Sequence, residues 1–178
     1  MQEIFEEVLR RIKPGKDGLK KEVDDILKKL NESLKKNKVK AVAVAGGSMA
    51  KGTYLKNDFD VDLFVRFDYS YRDKNISNML ENVLDGFCAE RVHGSRDYFQ
   101  IKGSINYEIV PVLKIDDPKK ALNVTDMSPL HVGWAVKNSN EKLRDSIRLA
   151  KQFCKAQGVY GAESYIRGFS GHVLDILI

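Results

Sequence analysis

The segment from Val39 to Phe67 restricts the fold more than any other part of this 178-residue chain. Val39–Ala45 reads VKAVAVA, a short valine-rich run suited to a buried strand. It passes directly into Gly46-Gly47-Ser48, a turn that opens a short helix. Asp60–Phe67 (DVDLFVRF) then alternates with the period of a strand, so Val61, Leu63 and Val65 are expected to face a core. Asp60 and Asp62 project together from the opposite face. Asp58 shares their parity but precedes Phe59 at the strand entrance and reads as a loop residue.

Around this segment the periodicity alternates between helix and strand. Apolar residues at helical spacing predict helices over 2–12 and 18–36, separated by Pro14-Gly15. A helix over 73–91 follows, then strands over 97–102 and 105–114 with Gly103-Ser104 as the turn. Helices are expected over 128–137, 140–157 and 163–177, the last loosened by Gly168 and Gly171. The expected class is α+β: a small mixed sheet flanked by helices, with more helices at the C-terminal end.

Composition narrows the functional classes. Charged residues make up 31% and hydrophobic residues 43%, as in a folded domain with a real core. No apolar run is long enough to span a membrane. The N-terminus is amphipathic and carries acids, unlike a signal peptide. Cys88 and Cys154 have no CxxC spacing, which points to a reduced, cytoplasmic setting and to two small buried residues. The net charge is +5, and +4 of it lies in residues 1–40, a local excess that fits a polyanion or simply a solvated helix face. Trp134 is expected between helices, and His93 and His172 in structural roles.

Chemistry concentrates at the glycine turn. A strand entering Gly46-Gly47-Ser48 and then a helix exposes backbone N–H groups to an anion. Ser48 adds a hydroxyl donor and Lys51, one turn on, a cation. The same residues also fit a plain tight turn, and the alternating acids a solvated strand face. Two acids side by side repel unless a cation lies between them, and oxygen donors of this kind suit Mg²⁺. Glu108, a lone charge entering the apolar run Ile109–Val112, is the candidate third carboxylate, although an exposed edge position fits it too. Three carboxylates beside a phosphate cradle describe a site for nucleotidyl transfer with two Mg²⁺ ions.

The run GGSMAKGTYLKNDFDVDLFVRF resembles the GS…GT…DxD signature of the polymerase-β-like nucleotidyltransferase superfamily, which implies a palm-like sheet. The segments YEIVPV, DMSPLHVGW, IRLAKQFCKAQGVYGAES and RGFSGHVLDILI are similar to successive blocks of archaeal-type (class I) CCA-adding enzymes. That resemblance implies addition of CMP and AMP from CTP and ATP to the tRNA 3′ end, without a nucleic-acid template. It implies metal ligation by Asp60, Asp62 and Glu108. It implies nucleotide binding by Gly47, Ser48, Lys51, His131, Lys151 and Tyr160. It also divides the chain into a catalytic head over 1–137 and the start of a helical domain over 138–178.

The sequence departs from the family at three places. Glu108 stands where Asp is usual, Lys51 where Arg is frequent, and Met127 where Arg is usual. Family members also continue beyond this length. The final run GFSGHVLDILI is therefore expected either to tuck into the domain's own core or to meet a downstream chain or a second copy. A truncated form, half of a split enzyme and a minimal transferase all fit. So do a non-catalytic nucleotide-binding module and a transferase for another acceptor.

Overall fold

A computed structural model describes residues 2–15, 19–56 and 60–178. The expectations for Asp58 and Phe59, and the first residue of the helix expected over 18–36, lie outside the described residues. The chain forms two compact units that interleave along the sequence. A sheet unit comprises Lys16–Gly47 and Asp60–Leu130, and a helical unit comprises Met1–Gly15, Ser48–Phe59 and His131–Ile178.

The sheet unit contains β1 (Ala41–Ala45), β2 (Val61–Phe67), β3 (Glu90–Val92), β4 (Tyr98–Ile101) and β5 (Tyr107–Leu113) in the order β1-β2-β5-β4-β3. β2 and β5 run parallel, and the other neighbours are antiparallel. One face of the sheet is closed by α2 (Leu19–Lys36) and α4 (Ile76–Val83). Val61, Leu63, Val65, Phe67 and Ile109 are completely buried there. Burying side chains of this size is worth about 1.5–3 kcal/mol each, so the strand alternation fixes which face carries the acids. Asn31 on α2 fastens the helix to β1, accepting from the Ala43 N–H at 2.9 Å and donating to the Ala43 carbonyl at 3.0 Å.

A buried carboxylate ties the far end of this unit together. Asp126 is fully buried, and accepts from the N–H groups of Leu113 (2.8 Å), Leu122 (3.1 Å) and Asn123 (3.1 Å). It also pairs with the Arg96 guanidinium, one contact being 3.2 Å. Burial pushes its pKa up, but the Arg96 pairing and the backbone donors outweigh that and hold it below the ordinary value.

The helical unit holds α1 (Gln2–Ile12), α6 (Glu141–Ala156), α7 (Gly171–Leu177) and most of α3 (Gly47–Lys51) and α5 (Ser128–Asn138). α6 packs against both α1 and α7. Leu55, Ile147, Cys154 and Leu174 form its buried apolar residues with Ala135. Lys13, just past α1, bridges Glu141 at 2.7 Å and Asp145 at 2.9 Å, and those hydrogen bonds raise its pKa.

Two expected helices are shorter than their periodicity implied. The stretch 73–91 yields only α4, because Gly86 and Cys88 take left-handed backbone angles (φ +83° and +52°) and the chain then turns into β3. Helix 163–177 contracts to α7. The preceding residues pair instead with 159–161, where Phe169 N–H donates to the Val159 carbonyl at 2.8 Å and Gly161 N–H to the Phe169 carbonyl at 3.0 Å. A Cβ on Gly168 would overlap the Val159 backbone, so this close pairing requires glycine. Cys154 is buried as expected, whereas Cys88 is exposed at its strained turn. Trp134 is 48% exposed rather than packed between helices.

Candidate active site

The carboxylates of the sheet unit owe their placement to strand register. Asp62 on β2 is paired with Glu108 on β5, and Glu108 with Gln100 on β4. Adjacent strands lie about 4.8 Å apart, and laterally paired residues point to the same side. Asp62 and Glu108 therefore share the face opposite the buried Val61–Leu63–Val65 row. Asp60 sits one residue ahead of β2, where the Val61 N–H donates to the Asn106 carbonyl at 2.9 Å. Glu108 is thus no lone edge residue; it lies on the strand between β2 and β4.

The side chains carry further evidence of this neighbourhood. Glu108 accepts from the Gln100 amide at 2.9 Å, and Asp60 from the Asn106 amide at 3.3 Å. Burial raises the Tyr98 phenol pKa, and the charges of Glu108 and Asp60 raise it further. Asp60 is exposed, and Asp62 and Glu108 are half-buried. Among the described residues no three His, Cys, Asp or Glu side chains are gathered tightly enough to hold a metal. The donor chemistry and the shared face nevertheless fit a divalent cation: two carboxylates on paired strands and a third at the strand entrance are hard oxygen ligands.

The glycine turn packs directly on this row. The Gly46 N–H donates to the Asp62 carbonyl at 2.8 Å. Gly47 has φ +50°, and a Cβ there would overlap the Asp62 carboxylate. The second glycine is thus required twice, by backbone conformation and by the approach of the acid.

The helical unit gathers the remaining candidates around α7. Lys51 is buried and forms an ion pair with Asp175, whose side chain is 1% exposed. Lys151 is 3% exposed and donates to the Thr53 carbonyl at 3.1 Å and hydroxyl at 3.2 Å. It does not snorkel to solvent. His131 stacks on His172, with ring centroids 4.0 Å apart and planes 13° apart. Burial lowers the His131 pKa, and His172 and Lys51 lower it further. The Tyr160 hydroxyl and Lys151 both adjoin Gly171, and Lys155 lies 4.9 Å over the Tyr160 ring. Lys51, His131, Lys151 and Tyr160 thus belong to one polar cluster around α7. Ser48 contributes its carbonyl to the Thr53 N–H at 2.9 Å within the same unit.

Sequence reasoning did not single out Asp175 or Thr53, and it read His172 as structural; all three lie in this cluster. Asp175 is a lone acid in an apolar run, the signal that singled out Glu108. His93, in the sheet unit, is exposed and hydrogen-bonds Asp97 at 3.1 Å.

Residues 27–126 match the family model of the nucleotidyltransferase domain, and residues 145–178 that of the tRNA nucleotidyltransferase second domain. The CCA-adding enzyme of Nanoarchaeum equitans is 44% identical over 135 residues, covering 74% of this chain and 34% of that protein. The CCA-adding enzyme of Methanocaldococcus jannaschii is 34% identical over 190 residues, covering 100% of this chain and 42% of that protein. The chain therefore spans well under half the length of these curated relatives. Among solved structures, Cid1, an RNA terminal uridylyl transferase, superposes with a TM-score of 0.70 at 20% identity, covering 98% of this chain and 50% of that one.

Proposed function

The chain belongs to the nucleotidyltransferase family, and from that premise we propose that it adds CMP and AMP to the 3′ end of tRNA without a template. The observation that carries this reading is the pairing of Asp62 with Glu108 beside a glycine turn that abuts the Asp62 carboxylate. Similarity along the whole chain to an archaeal CCA-adding enzyme supports the choice of acceptor.

In this reading Asp60, Asp62 and Glu108 hold the divalent ions, two Mg²⁺ by chemical preference. The bound metal supplies charge neutralisation at the phosphates and lowers the pKa of the attacking hydroxyl. The backbone N–H groups at Gly47 and Ser48 orient the phosphates by hydrogen bonding. Lys51 and Lys151 provide fixed positive charge for the triphosphate, and His131 and Tyr160 border it. The 3′-hydroxyl of the acceptor forms the new bond to the α-phosphorus in line with the departing pyrophosphate. The chain's contribution is positioning and preorganised charge, the terms that dominate phosphoryl transfer.

The matches at 27–126 and 145–178 support a division into a catalytic head, 1–137, and the start of a second domain, 138–178. Ile176, Leu177 and Ile178 are exposed on and just beyond α7. A downstream chain or a second copy is the occupant proposed for that apolar surface. No helix among the described residues is long and apolar enough to cross a membrane.

The test is incorporation. The chain, Mg²⁺, labelled CTP or ATP and tRNA lacking its 3′ CCA should give labelled tRNA, and Asp60→Ala with Asp62→Ala should abolish the signal while the circular dichroism spectrum persists. Absence of incorporation, also after adding a candidate downstream chain, overturns the reading. Survival of activity in the double variant overturns the metal assignment.

A further inference from the structure

The polar cluster at α7 contains an acid that the proposed chemistry does not use. Asp175 is buried, and one of its oxygens holds the Lys51 ammonium. Its other oxygen, Oδ1, is buried with no hydrogen-bond partner. So is Nδ1 of His172, which lies 3.9 Å from Asp175 Oδ2, just outside hydrogen-bond range. Buried polar atoms without partners are uncommon because each forfeits its hydration. Two of them at one ion pair mark a site with an unmade bond.

The unmade bond has an obvious occasion. A carboxylate and a phosphate offer an ammonium group the same thing, an anionic oxygen acceptor. Lys51 cannot give its full charge to both. If a phosphate takes the ammonium, Asp175 is left as a buried anion, which is strongly unfavourable unless a donor replaces the lysine. His172 is the adjacent donor, and its ring is held in place by the stack on His131.

We propose that Asp175 is a surrogate phosphate: it holds Lys51 in the nucleotide-free protein, and passes it to the incoming triphosphate while His172 closes on the vacated carboxylate. Asp175 and His172 are positioning residues in this scheme, acting through Lys51 and His131. The inference rests on the reading of Lys51 as a phosphate contact, and adds a built-in competitor to it.

The sign of the expected effect separates this role from a merely structural one. Asp175→Asn removes the competing charge but keeps the shape, so it tightens binding of tripolyphosphate and of ATP about tenfold, equivalent to about 1.4 kcal/mol. A purely structural aspartate predicts weaker or unchanged binding. Asp175→Glu retains affinity within about twofold. His172→Phe keeps a stacking ring but removes the donor, and weakens tripolyphosphate binding several-fold. In the Asp175→Asn background the same change has no effect, since no anion needs the donor.

Calorimetric titration of the full chain with tripolyphosphate and with ATP reads these affinities. Thermal melts with and without tripolyphosphate show that Asp175→Asn is folded and gains more from the ligand than the parent does. A folded Asp175→Asn with unchanged or weaker tripolyphosphate binding overturns the proposal alone. An Asp175→Asn that fails to fold leaves the test to His172→Phe, whose unchanged affinity overturns it. Tightening by Asp175→Asn without incorporation into tRNA overturns only the functional reading. Absence of tripolyphosphate and ATP binding in parent and variant overturns both.

Discussion

Replacing Gly47 with alanine tests the active-site argument at its tightest point. The residue takes φ +50°, where a Cβ meets the following carbonyl at a cost of about 1–2 kcal/mol. In a protein of this length 1 kcal/mol corresponds to roughly 2–4 °C, so the melting temperature should fall by about 2–8 °C. The added methyl would also overlap the Asp62 carboxylate, and that acid must turn away. Displacing a catalytic group by about 1 Å costs on the order of 100-fold in rate. Single-turnover incorporation of labelled AMP, run beside a melting curve, measures both numbers. Gly46→Ala is the matched control. Its Cβ meets the Phe64 ring at 2.5 Å and not the acid, so its cost should fall on stability more than on rate. A Gly47→Ala protein that incorporates AMP within threefold of the parent would refute the claim that the turn sets the position of Asp62.

Three further outcomes follow from other parts of the structure. Asp126→Asn leaves Arg96 without its anion and should lose about 3–5 kcal/mol in urea unfolding. Because the folded Asp126 pKa is lowered, its stabilisation is present above the unfolded carboxylate range, near pH 4, and is lost as pH falls through the folded value; the variant should therefore show a flatter acid limb than the parent. Glu108→Gln should lower incorporation by roughly 100–1000-fold, the scale of losing one preorganised charge, with the melting curve little changed. Lys151→Met should raise the KM for ATP and CTP at least tenfold, since a charge-assisted hydrogen bond is worth about 1.5–3 kcal/mol.

β2 was readable from residue order because its core-facing positions alternate. Val61, Leu63 and Val65 are buried as the period requires, and Asp62 faces the other way. The loops were harder. Gly86 and Cys88 end a helix through left-handed backbone angles that hydropathy does not register, and β3 follows too briefly to show a period. The pairing of 159–161 with 168–169 depends on a close backbone approach at Gly168, which a helical reading of 163–177 passes over. Asp62 and Glu108 were singled out because each interrupts an apolar context. The ion pair of Asp175 with Lys51 and the stack of His172 on His131 escaped because the partners lie far apart in sequence.

The parallel alignment of β2 with β5 carries a consequence for how such a site comes into being. Parallel neighbours cannot be joined by a tight turn, so the connection between Asp62 and Glu108 is a long crossover that carries α4, β3 and β4. No short peptide cut from this chain could retain the face on which Asp62 and Glu108 are paired. Because the two acids lie far apart in sequence, the loop between them must lose its freedom before the pairing is gained, which slows the assembly of this face.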